Sequence, residues 1–222
     1  MYFKSILLSG LSFILVLFHF IFLRFIYGKN KVSFGNHFFP LFSKIEVKGS
    51  DNQIYFGQNV KIMKTKINIY GSNNKLYLES GVRVYDACEF LIEGDNCEIY
   101  IGKNTTIGSA NIFCGESNTK ITMGENCLLS RMINIDTSDF HSIIDLNTNT
   151  RINPPKDVFI GDKVWIGYNV SINKGTVLGN NSMVAIKSVV VGKEFPDNVV
   201  IGGIPAKIIK ENITWSREKL TY

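Results

Sequence analysis

The sequence predicts an all-β solenoid, a chain wound into coils of short strands, and three observations predict it. From Val158 to Val190 an aliphatic residue returns at every sixth place, at Ile160, Ile166, Ile172, Leu178, Val184 and Val190, a period that fits neither a helix nor an ordinary strand. Upstream, GSDNQIYFG from Gly49, GSNNKLYLESG from Gly71, GDNCEIYIG from Gly94 and GESNTKITMG from Gly115 recur about every 22 residues, a solenoid coil length. Each unit joins a Gly/Asn/Asp/Ser turn to a short alternating apolar run such as EIYIG, the pattern of strands separated by tight corners.

Residues 1–28 differ in kind. Ile6 to Leu23 are almost all Ile, Leu, Phe and Val, close to the roughly 20 residues that span a bilayer. An N-terminal apolar helix acting as a membrane anchor is expected. Lys4 precedes the segment while Arg24, Lys29 and Lys31 follow it, which by the positive-inside rule places the body on the cytoplasmic side. A cleaved signal peptide and a helix buried in an oligomer remain alternatives, although LRFIYGKNK offers no small-residue cleavage pattern. Residues 29–48 read as a linker or cap.

Residues 49–197 form the solenoid domain. In its sixfold section the aliphatic residue points inward, Gly161, Gly167, Asn173, Gly179 or Ala185 follows, and Val164, Val170, Thr176, Ser182 or Ser188 comes four places later. Glycine and asparagine tolerate the positive φ of a sharp corner, and three such faces close a triangular coil. Between Asp136 and Asp157 the repeat stops, so residues 136–157 must project as a loop. Residues 198–222 lose the rhythm; Ile208, Ile209, Ile213 and Trp215 are expected to cover the open end as a strand and helix, because solenoid ends need caps.

A formal charge of +5 without an Arg- or Lys-rich block disfavours a nucleic-acid partner and reads as a dispersed solvated face with some bias toward anionic ligands or lipid. Cys88, Cys97, Cys114 and Cys127 form no CxxC pair and fit as core thiols. There is no P-loop and no GxGxxG, which disfavours a nucleotide enzyme.

The hexads IGDKVWIG, IGYNVSI and LGNNSMV, followed by GGIPAKII, resemble the left-handed β-helix acyltransferases. DFHSIIDLNTNTRINPPKDVFIGDKVWIG narrows the likeness to bacterial capsule and polysaccharide O-acetyltransferases, and PAKIIKENITW to those acting on sialic-acid-containing capsules. The resemblance covers roughly Gly49 to Trp215. It implies a left-handed parallel β-helix, acetyl-CoA as co-substrate, a carbohydrate acceptor, and a homotrimer with active sites between subunits.

His141 lies in the projecting loop; His19 and His37 precede the repeats. Acetyl transfer from a thioester to a sugar hydroxyl needs a base for the hydroxyl proton, and histidine titrates in the right range. A loop histidine making a structural hydrogen bond is the bland alternative, which the family likeness disfavours. Asp139, two places earlier, would orient the imidazole if the backbone is extended, or else serve a turn. Arg151 and Asn153, in TRIN, match a motif of the resembling enzymes and are expected to fix the loop or touch ligand. Trp165 spends a large aromatic on an outward or corner place; the likeness puts it in the active site, whereas an interface role would also explain it. The likeness further places the coenzyme groove at Lys174, at Ala185, Lys187 and Ser188, and at Gly203 and Lys207 of GGIPAK.

The leading expectation is therefore direct O-acetylation of a surface polysaccharide, on the cytoplasmic side of the bacterial inner membrane or in the cytoplasm. Amino-sugar N-acetylation, acetylation of a small saccharide, and a membrane-tethered glycan-binding scaffold are the alternatives. Zinc-dependent hydration needs three or four ligands, which one histidine and scattered cysteines do not evidently supply.

Overall fold

A computed structural model of the chain describes residues 25–221. It is a parallel β-helix of three long sheets, here A, B and C, which each coil visits in turn. Among the described residues, sheet A holds eight strands, from Phe25–Ile26 to Val189–Val190; sheet B holds eight, from Lys31–Phe34 to Glu194–Phe195; sheet C holds nine and ends in the only antiparallel pairing within these three sheets. Among the described residues there is no α-helix, and no helix long and apolar enough to cross a membrane.

The predicted inward residues Ile160, Ile166, Ile172, Leu178, Val184 and Val190 are all fully buried. They stack on the equivalent residues of the coils before them: Ile112, Ile135, Ile172 and Val190 form one column of sheet A. The four cysteines are buried and unpaired. Corners are built by asparagine and glycine with positive φ, and at the A/B corner the side chains of Asn30, Asn52 and Asn74 form an internal ladder. Asn52 Nδ2 donates to Gly71 O at 2.9 Å while its Oδ1 accepts Asn74 N at 2.9 Å, so each buried amide serves two coils. A buried polar side chain of this kind is tolerated because it is fully satisfied.

Three expectations need correction. Residues 1–24, which hold most of the apolar segment expected over 1–28, lie outside the described residues, but the end of that segment is not helical: Phe25–Ile26 pairs with Glu46–Val47 in sheet A. Residues 29–48, expected as linker or cap, carry Lys31–Phe34, Phe39–Leu41 and Lys44–Lys48, which pair in sheets B, C and A respectively. The stretch GKNKVSFG from Gly28 repeats the turn-and-strand unit with Val32 and Phe34 at the apolar places. The C-terminal cap contains the expected strand, Ala206–Lys210, folded back on Val200–Gly203, but no helix. Instead of closing the end of the solenoid, the tail runs across sheet C: Trp215 Nε1 donates to Lys163 O at 2.6 Å, and Arg217 to Cys127 O at 2.9 Å and Thr106 Oγ1 at 3.3 Å.

Candidate active site

The loop leaves sheet A after Ile133–Asp136 and returns to sheet B at Val158–Ile160, so it stands on the A/B corner. Its neck is closed by Lys156 N donating to Thr137 O at 2.9 Å. Thr137 Oγ1 is buried against the coil below, accepting Gly115 N and donating to Gly115 O, both at 3.0 Å. Phe140 folds over Gly115, where a Cβ would sit 2.7 Å from the ring, so a side chain there would push the loop away. Beyond the neck, Ile144–Asp145 and Thr150–Arg151 form a small antiparallel hairpin, its turn held by Asp145 Oδ1 accepting Asn147 N at 2.7 Å and Thr148 N at 3.1 Å.

Side-chain hydrogen bonds then fix the loop interior. Asn153 is buried; its Nδ2 donates to Asp139 Oδ2 at 2.7 Å and to His141 O at 2.8 Å, while its Oδ1 accepts Ile143 N at 2.7 Å. One amide therefore fixes the backbone from His141 to Ile143 and holds the Asp139 side chain before it. Arg151 donates Nε to Asn153 Oδ1 at 3.2 Å and forks onto the Glu116 carboxylate at 2.5 and 2.7 Å. Ser138 also donates to Glu116, and Lys174 pairs with Asp139 while donating to Asn153 O at 3.0 Å. The Arg151 fork holds the Glu116 carboxyl down at about 2, and Lys174 holds that of Asp139 below its ordinary value. The loop is thus latched to two different coils by charge-assisted bonds.

Glu116 escaped the sequence reading. Its N–H donates to Glu93 O as those of Gly94 and Gly71 do to Tyr70 O and Lys48 O, so it takes the corner place that three earlier units give to glycine. Its φ is +66°, the left-handed region that side chains rarely adopt. The GESNTK unit is one residue longer than its predecessors, and aligning it from Gly115 hides that substitution.

His141 is exposed, and among the described residues its ring makes no hydrogen bond within the chain. Asp139 does not orient it, contrary to expectation. Phe140 between them has φ +58° and His141 N donates to Asp139 O at 2.6 Å, a tight turn in place of extended backbone, and Asp139 Oδ2 is taken by Asn153 and Lys174. Lys174, expected beside the coenzyme, stands at the A/B corner, paired with Asp139 and bonded to Asn153 O, with its side chain only 17% exposed. Ala185, Lys187, Ser188, Gly203 and Lys207 do gather at the C/A corner and the C-terminal hairpin. Ser188 Oγ donates to Ala185 O at 2.7 Å and accepts Gly203 N at 3.2 Å, and Lys207 pairs with Gly202. Lys187 is exposed at this corner, its N–H bonded to Tyr168 O at 2.8 Å.

Trp165 lies on the outer face of sheet C, between Leu128 and Met183, and its ring leans on Trp215 with centroids 6.0 Å apart. Each coil is a triangle, so sheet C is the side opposite the A/B corner. Within one chain, His141 and Trp165 are therefore on opposite sides of the solenoid. Asp136, at the mouth of the loop, is a further group the sequence did not single out; burial pushes its carboxyl up to about 6. Among the described residues, no three His, Cys, Asp or Glu side chains are placed to hold a metal ion.

No family model matches the chain. It is 38% identical over 120 residues to a polysialic acid O-acetyltransferase of Escherichia coli O1:K1 / APEC, covering 54% of this chain and 38% of that protein. To the polysialic acid O-acetyltransferase of Neisseria meningitidis it is 37% identical over 123 residues, covering 55% of this chain and 57% of that one. The matches thus span well under two thirds of these curated relatives. The crystal structure of the polysialic acid O-acetyltransferase OatWY superimposes over 87% of this chain and 93% of its own, with a TM-score of 0.73 and 30% identity. Agreement over nearly the whole of that solved chain, in sequence and in coil architecture, means that this chain belongs to the hexapeptide-repeat acetyltransferase family, beside the polysialic acid O-acetyltransferases.

Proposed function

We propose that the protein moves an acetyl group from acetyl-CoA to a hydroxyl of a bacterial surface polysaccharide, its sialic acid residues being the favoured acceptor. The observation that carries this reading is the match along 93% of a polysialic acid O-acetyltransferase by a chain that presents one exposed imidazole on a rigidly latched loop. His141 takes the hydroxyl proton as the oxygen attacks the thioester carbonyl. The tetrahedral intermediate collapses, the carbon–sulfur bond breaks, and the coenzyme thiolate leaves and takes up the proton. Acetyl-CoA fits the residues at the C/A corner: Lys187 and Lys207 offer point charges to its phosphates, and the hairpin edge offers backbone groups to the pantetheine arm.

Oxyanion stabilisation falls to an indole N–H and a backbone amide. The Trp165 N–H is free to serve, since among the described residues it has no acceptor within the chain. Because His141 and Trp165 lie on opposite sides of one solenoid, they can share a site only when the sheet C face of one chain meets the A/B corner of another. A homotrimer with three such sites is the assembly that fits. The apolar segment before Arg24 attaches the enzyme to the cytoplasmic face of the inner membrane, where acetyl-CoA is available.

The test is release of free coenzyme A from acetyl-CoA by the purified protein across a panel of capsule polysaccharides, with His141→Ala beside it. Acceptor-dependent release with sialic acid polymers, reduced on the order of 10²- to 10⁴-fold in the variant, is the expected result. Full activity in a folded His141→Ala protein would reject the assigned base. Transfer to amino sugars alone would move the reading to N-acetylation.

A further inference from the structure

The coil at the N-terminal end of the solenoid has a surface that the acetyl-transfer reading does not use. Three aromatic side chains stand out around it: Tyr27 at the A/B corner is 57% exposed, Phe39 on sheet C 49%, and Phe42 at the C/A corner 72%. Phe42 has φ +50°, the same left-handed corner conformation as Lys64 at +47° on the next coil. The same end is basic. Residues 25–70 contain seven lysines against Glu46 and Asp51, whereas from residue 71 onward 17 acidic residues face 15 basic ones. The positive excess of the described chain, expected to be dispersed, therefore lies entirely in its first two coils. Lys29 and Lys31 are exposed on the end coil, while just above it Lys48 and Lys64, 60% and 62% exposed, pair with Glu46 and Asp86.

The chain enters this coil at Phe25, directly after the apolar run that ends at Leu23. Rings that combine an apolar body with neighbouring cations match the boundary between lipid headgroups and acyl chains, and clustered lysines match anionic headgroups. We propose that the end coil itself seats on an anionic phospholipid bilayer, so that the solenoid axis stands away from the membrane and the loop is carried several coils above it. This rests on the membrane association proposed above and adds to it a second contact, made by folded residues. The contact is at headgroup depth. Among the described residues, Phe25–Ile26, Lys31–Phe34 and Phe39–Leu41 are the first strands of their sheets, and backbone edges of this kind need water or headgroups rather than hydrocarbon.

The four natural thiols are buried, so a cysteine introduced into the full chain is the one accessible to labelling. Phe42→Cys and, separately, Ile204→Cys, at the opposite end and 75% exposed in the native chain, would carry a fluorophore. Each protein is floated on vesicles of phosphatidylglycerol and phosphatidylcholine, or of phosphatidylcholine alone, with a headgroup-attached quencher. The expected result is quenching at position 42 and none at 204, with Lys29→Glu/Lys31→Glu weakening anionic binding on the order of tenfold or more. Flotation with position 42 unquenched would overturn the seating of the end coil and leave attachment through residues 1–24 intact; failure to float would overturn both. Fluorescence at position 42 that changes with protein concentration in the absence of vesicles would assign the face to a second copy and overturn the lipid contact. Should Phe42→Cys not fold, Tyr27→Cys gives the same readout from another corner.

Discussion

Two carboxyl groups flank the neck of the loop and are driven in opposite directions, Glu116 to about 2 by the Arg151 fork and Asp136 to about 6 by burial. Each makes stability depend on pH, with opposite sign. Glu116 contributes stability that is present above its unfolded value and is lost only as pH falls toward 2, so it is constant through the neutral range. Asp136 holds its proton more tightly folded than unfolded. Between about 4 and 6 the native state binds more protons than the unfolded one, and stability falls as pH rises through that window. Asp136→Asn should therefore raise the melting temperature more at pH 7.5 than at pH 4, as thermal scans at the two pH values would read. An equal shift at both would mean that its charge is compensated in the native state. At this scale the sequence was partly legible. His141 could be singled out because it is the one imidazole after the first coil, whereas Glu116 was hidden by the extra residue in its unit, and the pairing of Lys174 with Asp139 joins residues 35 positions apart that only the coil brings together.

Elements were legible where the inward residue is aliphatic and the corner is glycine or asparagine, as in the sixfold section. The coil formed by residues 25–43 was missed because aromatics replace aliphatics there: Phe34 and Phe38 stack with Phe56, at ring separations of 5.5 and 4.5 Å. The tail was misread because Ile208, Ile209, Ile213 and Trp215 carry no period that distinguishes an end cap from a strap over a sheet. For the loop, breadth and position were legible but its fastening was not. Arg151 joins the hairpin to Glu116 on the preceding coil through a two-pronged, charge-assisted contact. Arg151→Met should release the loop without unfolding the coils: amide exchange at Ile143 and Ile152, whose N–H groups are bonded inside the loop, would rise roughly 10- to 100-fold. Exchange of the buried ladder around Ile112 and Ile135 would stay as it is. Equal acceleration in both regions would show that the latch supports the solenoid rather than the loop.

At the scale of the whole molecule, the rigidity of the solenoid settles which groups can meet. A parallel coil stack cannot fold back on itself, and the loop is held at its corner by Lys174 on one coil and Glu116 on another, so His141 cannot travel around to the outer face of sheet C. Trp165 in turn is kept on that face by its strand pairing and by Trp215, which the tail ties to Lys163 O. If both residues serve one acetyl transfer, they belong to different chains, and the proposed trimer contains three sites that each take the imidazole from one chain and the indole from the next. Two inactive proteins, His141→Ala and Trp165→Ala, should then restore each other when co-expressed under separate tags and purified through both. Every trimer that carries both tags joins the native imidazole and the native indole at one of its three sites, so activity should recover to about a third of the native level in the doubly purified population. Mixing the separately assembled proteins after purification should recover nothing unless the subunits exchange. If the doubly tagged species forms but stays inactive, the two residues act within one chain. Native-level activity in Trp165→Ala alone would show instead that Trp165 has no part in the chemistry.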